Sequence, residues 1–358
     1  MKMLRQYYGF SLAFSAACLA LAVWYGWAST GSMAATASIL WIVLVLSVLE
    51  ISLSFDNAVV NATVLRDMDP VWRRRFLTWG VLIAVFGMRI IFPIAIVTVA
   101  AQIGPLEAID LSLNDPEEYE RIVSGAHIGI AGFGGAFLAM VGLTFFFDEE
   151  KDVHWIASIE RTINRLSSLP AAEIGIVLVV IYGVSTLLAP ADANTFLTAG
   201  ILGVVTFIGV HALGALIEQR EAAKKATGEI VRSGAGGFLY LEVLDASFSF
   251  DGVIGAFALS NNMVVIALGL SIGAIFVRSM TIHLVETGTL SQYRYLEHGA
   301  FWAIIVLGMI LLLSARWHIP ETITGLLGAV LIGFSLWWSV RYNRRTVAEP
   351  TGVPAPPA

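Results

Sequence analysis

Two short segments carry carboxylates through strongly apolar sequence. Glu50-Ile-Ser-Leu-Ser-Phe-Asp-Asn57 recurs as Asp245-Ala-Ser-Phe-Ser-Phe-Asp-Gly252, acid matched to acid and serine to serine. A further acid, Glu242, lies three residues before Asp245, and on a helix those two share a face. Each charged side chain placed in hydrocarbon costs roughly 2.5–3.5 kcal/mol on insertion scales, so Glu50, Asp56, Glu242, Asp245 and Asp251 mark a functional region. Carboxylates with the Asn57 amide and hydroxyls nearby form a hard oxygen donor set, suited to Mn²⁺, Mg²⁺ or Ca²⁺. Zinc or copper(I) would be better served by His and Cys, and Cys18 is the one cysteine of the chain.

An arginine follows each motif in the next apolar stretch: Arg89 after Gly87-Met88, and Arg278 between Val277 and Ser279. Each is a candidate for a supporting ion pair or a gate with one acid, and together they leave the five acids in excess. Ser54 and Ser249 read as secondary hydrogen-bonding groups between helices, and Phe55 and Phe250 as packing. His127, His211 and His283 read as hydrogen-bonded packing or proton-linked residues. No Walker motif, dinucleotide fingerprint, HExxH or nucleophile elbow occurs, so no catalytic residue and no ATP-driven step is expected. Energy for any transport would then come from an ion or proton gradient.

Such residues need a membrane scaffold, and the composition supplies one. The 358 residues are 57% hydrophobic and 13% charged, about half the charge of a soluble domain. The net charge of −6 speaks against a nucleic-acid partner. Runs long enough to cross a bilayer fall at about 7–27, 38–64, 76–101, 127–147, 173–190, 195–217, 236–259, 263–284, 300–315 and 321–340. The first exceeds the apolar core of a signal peptide and reads as a retained helix. Trp24, Trp27, Trp72, Trp79, Trp317, Trp337 and Trp338 lie near span ends, as interfacial belts require.

If the N-terminus is cytoplasmic and all ten runs cross, the Lys and Arg residues separate sharply. Lys2, Arg5, Arg66, Arg73–Arg75, Lys151, Arg161, Arg165, Arg220, Lys224, Lys225, Arg232, Arg294, Arg341, Arg344 and Arg345 are then cytoplasmic. Only Arg121 and Arg316 are external, as the positive-inside rule demands. The two motif helices, second and seventh, run in opposite directions, so the repeat is inverted about an axis in the membrane plane. Glu50 and Asp245 are expected near the midplane, with Asp56 about 9 Å toward the cytoplasm and Asp251 toward the outside. On an unbroken helix Glu50 and Asp56 would sit about 120° apart. Asn57 and Gly252 have low helix propensity, so both motif helices are expected to unwind there and offer backbone carbonyls.

The organisation expected is therefore all-α and polytopic: 1–36 a stub and first span, 37–147 a first repeat bundle, and 148–172 a cytoplasmic loop. After it come connecting helices and a basic loop over 173–234, a second repeat bundle over 235–341, and a disordered tail over 342–358. Within 148–172 the stretch Trp155–Leu166 reads as a short interfacial amphipathic helix. The acidic segment 102–124 reads as a solvated external loop.

The two acidic motifs, with Gly87-Met-Arg-Ile-Ile-Phe-Pro93, resemble the TerC family of integral membrane proteins, and more narrowly its uncharacterised, domain-of-unknown-function branch. The likeness spans about 38–340 and leaves the first span and the charged loop 148–172 unexplained. That family is grouped with LysE-type exporters, and the resemblance implies export of a divalent cation, manganese foremost, across a bacterial inner membrane. By position it implies a metal site of Glu50, Asp56, Asn57, Glu242, Asp245 and Asp251. The family name reflects tellurium-resistance loci, which does not make tellurite the substrate. No permanently bound cofactor is expected: the cation is cargo, the lipid bilayer is the surrounding partner, and self-association into a homo-oligomer stays open. Two alternatives compete. An intramembrane aspartyl-type hydrolase would need a water-filled pocket with two facing acids sharing a proton, and a membrane scaffold of a metal-stress complex would have salt-bridged acids and no cavity.

Overall fold

A computed structural model describes residues 2–80, 82–148, 153–166, 169, 171–226, 234–257, 259–317, 319 and 321–348. The fold is 88% helical with no strand among the described residues. Seven helices are long and apolar enough to cross a membrane, so this is a polytopic helical membrane protein. In chain order the first are α1 (Lys2–Thr30), α2 (Met33–Leu53), α3 (Phe55–Arg66) and α4 (Pro70–Arg75). Two π-helical runs, Phe76–Gly80 and Ile83–Ile91, lead into α5 (Phe92–Ala101). Then come α6 (Pro105–Asn114), α7 (Pro116–Gly125), α8 (His127–Phe146), α9 (Ala157–Leu166), α10 (Ala172–Ser185) and α11 (Pro190–Ala226). The second half holds α12 (Ala235–Phe257), α13 (Met263–Glu286), α14 (Thr289–Gln292), α15 (Leu296–Ser314) and α16 (Glu321–Ala348). Each of the ten apolar runs is occupied by one of these helices or, for 38–64 and 76–101, by a broken helical unit.

Local chemistry sets the boundaries. Ser32 caps α2, and Asp69 caps α4, its carboxylate accepting from the Val71 N–H at 2.9 Å with Pro70 in the first turn. Asn262 caps α13 by accepting from the backbone N–H groups of Val264 (3.0 Å) and Val265 (3.2 Å). These satisfy donors that a helix start leaves open.

The motif helices differ from expectation. The first breaks at Ser54 (φ −98°, ψ 18°), three residues before Asn57, which is itself helical. The Ser52 hydroxyl donates back to Val48 O, a contact that bends helices, and the Ser54 hydroxyl donates to the Glu50 carboxylate. The second motif helix, α12, runs unbroken through Gly252. Segment 102–124 is no open loop but the helical pair α6 and α7, each opened by a proline and burying Ala108, Ser112, Tyr119 and Val123. Its acids Glu107, Asp110, Asp115 and Glu117 remain exposed. The amphipathic stretch forms α9. Helix α16 continues to Ala348, so 342–348 is helical, and the remainder of the expected tail lies outside the described residues.

Two bundles with the same order of parts emerge. In each, a motif unit (α2–α3 or α12) precedes an arginine-bearing unit (α4–α5 or α13) and a third helix (α8 or α15). The third helices pack on each other, and α2 packs on α13. Helix α1 is tied to the second bundle, its Ser11 hydroxyl donating to Ile275 O at 3.0 Å, with Cys18 and Ala22 buried against Val43, Val265 and Ile272.

Candidate functional site

Glu50 enters the bundle on the last turn of α2, where α2 lies against α13. A Cβ on Gly273 of α13 would collide with the Glu50 side chain, and one on Gly252 of α12 would come within 2.9 Å of its Oε2. Two glycines from the second repeat thus make room for one carboxylate from the first. Glu50 is buried, accepts from the Ser54 hydroxyl at 3.3 Å and forms an ion pair with Arg89, also buried. Arg89 comes from the π-helical run Ile83–Ile91, a geometry concentrated at functional positions.

Asp245 is held otherwise. The Asn57 Nδ2 group donates to its Oδ1 at 2.6 Å, joining the two repeats. No ion pair reaches Asp245 or Arg278 among the described residues, and the Arg278 guanidinium lies 5.8 Å from the Phe10 ring centre. Both line a cavity with room for about 40 Å³, together with Ser54, Asn57, Asn61, Arg89 and Thr281. A second cavity of about 30 Å³ is lined by Glu50, Ser52, Ser54, Asp56 and Gly252, with Gly328 from α16. Each space therefore has room for a small ion or a few waters. Ser54 belongs to both and stands between them.

The acids are therefore distributed differently from the linear expectation. Glu50 and Asp56 line one cavity because the bend at Ser54 changes their angular relation. Asp245 lines the other and does not share one with Glu50. Asp56 is buried, its Oδ1 accepting from the Asn57 N–H at 2.9 Å. Glu242 sits beside the Asp245 cavity, its Oε1 placed 2.6 Å from where a Cβ of the cavity-lining Gly80 would be. The side chains of Ser249, Phe250 and Asp251 lie outside the described residues. Among those described, no three acidic, His or Cys side chains converge as a metal cluster.

Three oxygens complete the picture. Asn57 Oδ1, Asn61 Oδ1 and Glu242 Oε1 are all buried with no hydrogen-bond donor, and buried polar atoms are rarely left so. Asn61 was not singled out in the sequence, although it follows Asn57 by one helical turn and so shares its face. The histidines serve packing and hydrogen bonding. His127 Nε2 meets Ser314 O at 3.3 Å, His211 lies against Phe207 and Tyr240, and His283 stacks on Tyr7 with its Nδ1 3.3 Å from the Tyr8 hydroxyl.

A separate polar centre, also missed in the sequence, fastens α9 to the bundle. Glu160 is buried, and its carboxylate accepts from the backbone N–H groups of Trp155 (2.9 Å) and Ile156 (3.0 Å) and from Trp302 Nε1 (3.0 Å). His298 Nδ1 and His154 Nδ1 lie 3.2 and 3.6 Å from Oε2. Burial alone would raise its pKa, but His298, the Ile156 N–H and Trp302 outweigh that and hold the carboxyl at about 2.

Residues 55–346 match a family described as a protein of unknown function, DUF475, and the chain belongs to that family. No curated protein matches the chain. No solved structure matches it.

Proposed function

We propose that this member of the DUF475 family is a secondary transporter that exports Mn²⁺ or a similar divalent cation across a bacterial inner membrane, with both termini in the cytoplasm. One observation carries the reading: Asn57 Oδ1, Asn61 Oδ1 and Glu242 Oε1, at or beside the cavity of Asp245, are buried oxygens without donors. A hard cation supplies what such oxygens lack, and carboxylate with amide oxygen is its preferred donor set. The cavity's size supports a bare or nearly bare ion as cargo. The Asn57–Asp245 bond supports a site shared by two inverted halves, the usual place for a transported ion. The manganese preference and the export direction rest on the TerC resemblance, and the orientation on the distribution of Lys and Arg.

The scaffold alternative draws support from the Glu50–Arg89 pair but leaves the two polar cavities without a purpose. The hydrolase alternative draws support from Glu50 and Asp56 lining one cavity. Glu50, however, is committed to Arg89 and Ser54, which leaves no place for the proton that two such acids must share. The decisive experiment is manganese flux into proteoliposomes holding a trapped metal-sensitive dye, compared for wild type, Asp56→Asn and Asp245→Asn. The expected result is wild-type flux that either substitution lowers by at least about tenfold, a loss of roughly 1.4 kcal/mol. Wild-type vesicles that pass no Mn²⁺, Mg²⁺ or Ca²⁺ above protein-free vesicles would sink the reading.

A further inference from the structure

The repeat pairs Glu50 with Asp245 and Arg89 with Arg278, yet the two couples differ. Glu50 and Arg89 form a closed, buried ion pair. Asp245 and Arg278 line one cavity without pairing: Asn57 holds the aspartate at 2.6 Å, and the Arg278 Nε is buried with no hydrogen-bond acceptor. A desolvated guanidinium with no ion pair among the described residues, lining the same 40 Å³ space as a carboxylate, is one half of an unmade contact. The backbones differ in the same sense. Arg89 rides on a π-helical run, whereas Arg278 rides on the regular helix α13.

In an inverted repeat the two halves carry matching parts in opposite orientations, and alternating access proceeds by rocking one against the other. A protein of this kind visits a second state in which each half takes up the arrangement now seen in the other. We propose that Arg278 and Asp245 are the second gate of this protein: in the alternate state Arg278 takes Asp245 while Arg89 releases Glu50. Asn57 then keeps Asp245 from Arg278 in the present state, and the partition at Ser54 between the two cavities shifts with the exchange of pairs. In the alternate state Arg278 is then a tethered cation that neutralises Asp245. This proposal rests on the transport reading for its purpose but not for its test.

The test reads cavity access in the absence of any metal. In a Cys18→Ala background, Asn61→Cys reports on the cavity of Asp245 and Leu307→Cys on the cavity of Asp56, each exposed from either side of oriented vesicles to a membrane-impermeant maleimide too large for the cavity as it stands, so that labelling reads its opening to that side. Arg89→Gln removes the closed pair and favours the alternate state. Arg278→Gln removes the pair of the alternate state and favours the present one. The ratio of labelling at the two cysteines is expected to move in opposite directions, by about tenfold between the two variants. Arg89→Lys and Arg278→Lys keep the charge and are expected to give the same signs with a smaller shift, so they carry the test if a Gln variant does not fold. Shifts in one direction for both, or no response to either Arg278 variant, overturn the proposal. Opposite shifts in vesicles that pass no manganese would leave the gates standing and remove the transport reading alone.

Discussion

The first repeat is closed and bent, whereas the second is open and straight. In the first, Ser54 interrupts the motif helix, the arginine helix is π-wound, and Glu50 is locked to Arg89. In the second, α12 and α13 are uninterrupted and Asp245 holds a neutral amide from the opposite half. One motif thus appears in two settings: a buried charge pair, and a carboxylate held by a single amide from the opposite half. The difference teaches that the acid's partner, rather than the acid, decides which of these settings a repeat provides.

The largest test of that contrast removes the acid from each half. Glu50→Gln takes the carboxylate from buried Arg89 and is expected to cost about 3–5 kcal/mol. Asp245→Asn is expected to cost about 1 kcal/mol, since the lost contact is one hydrogen bond. Thermal unfolding in detergent micelles checks both, and equal losses would break the comparison. Gly273→Ala comes next: its methyl collides with Glu50, and overpacking of this kind costs about 1–3 kcal/mol. The companion Gly80→Ala presses on Glu242 Oε1, whose acid is held by no hydrogen bond at that atom, and is expected to cost less in the same melt.

Glu160 provides a control outside both repeats. Its folded pKa lies below the ordinary value near 4.5, so its contribution is complete above that value and is lost as pH falls toward about 2. Protection against hydrogen exchange over 153–166, taken relative to the intrinsic rate at each pH, is expected to hold from neutral pH to about 5 and to fall below about 4. Glu160→Gln is expected to remove that pH step and weaken the docking of α9 by about 2 kcal/mol. Asn57→Ala removes the other partner of the Asp245 hydrogen bond and is expected to cost about 1.5 kcal/mol, the value for a hydrogen bond to a charged group. Double-mutant analysis with Asp245→Asn, showing non-additive losses, checks that the two residues act together.

Much of the architecture was legible because apolar runs and Pro or Asn caps are local signals. The helical spans fell where hydropathy placed them. The pair α6–α7 was equally legible in Pro105 and the Asp115-Pro116 step, but its acidic residues drew the reading toward a loop. Propensity points to breaks at Asn57 and Gly252, whereas the chain breaks at Ser54, whose hydroxyl bonds the Glu50 carboxylate, and Gly252 stays helical. A glycine in a tightly packed membrane helix serves close approach, here to Glu50, more than unwinding. The division of the acids between two cavities was not legible, because it depends on how α2 meets α13. Nor was Glu160, whose partner Trp302 lies 142 residues away.

The π-helical run has a consequence for insertions and deletions. Arg89 reaches Glu50 from the wound-out run Ile83–Ile91, whose turns set the direction of its side chain. Losing one residue from that run would let it relax to an ordinary α-helix, and the side chain would swing by about 100° around the axis. Substitutions at its exposed positions, such as Ile83 and Phe86, change only outer surface, but deletion of one residue would aim the arginine away from its partner. The length of this segment is under a tighter constraint than its composition.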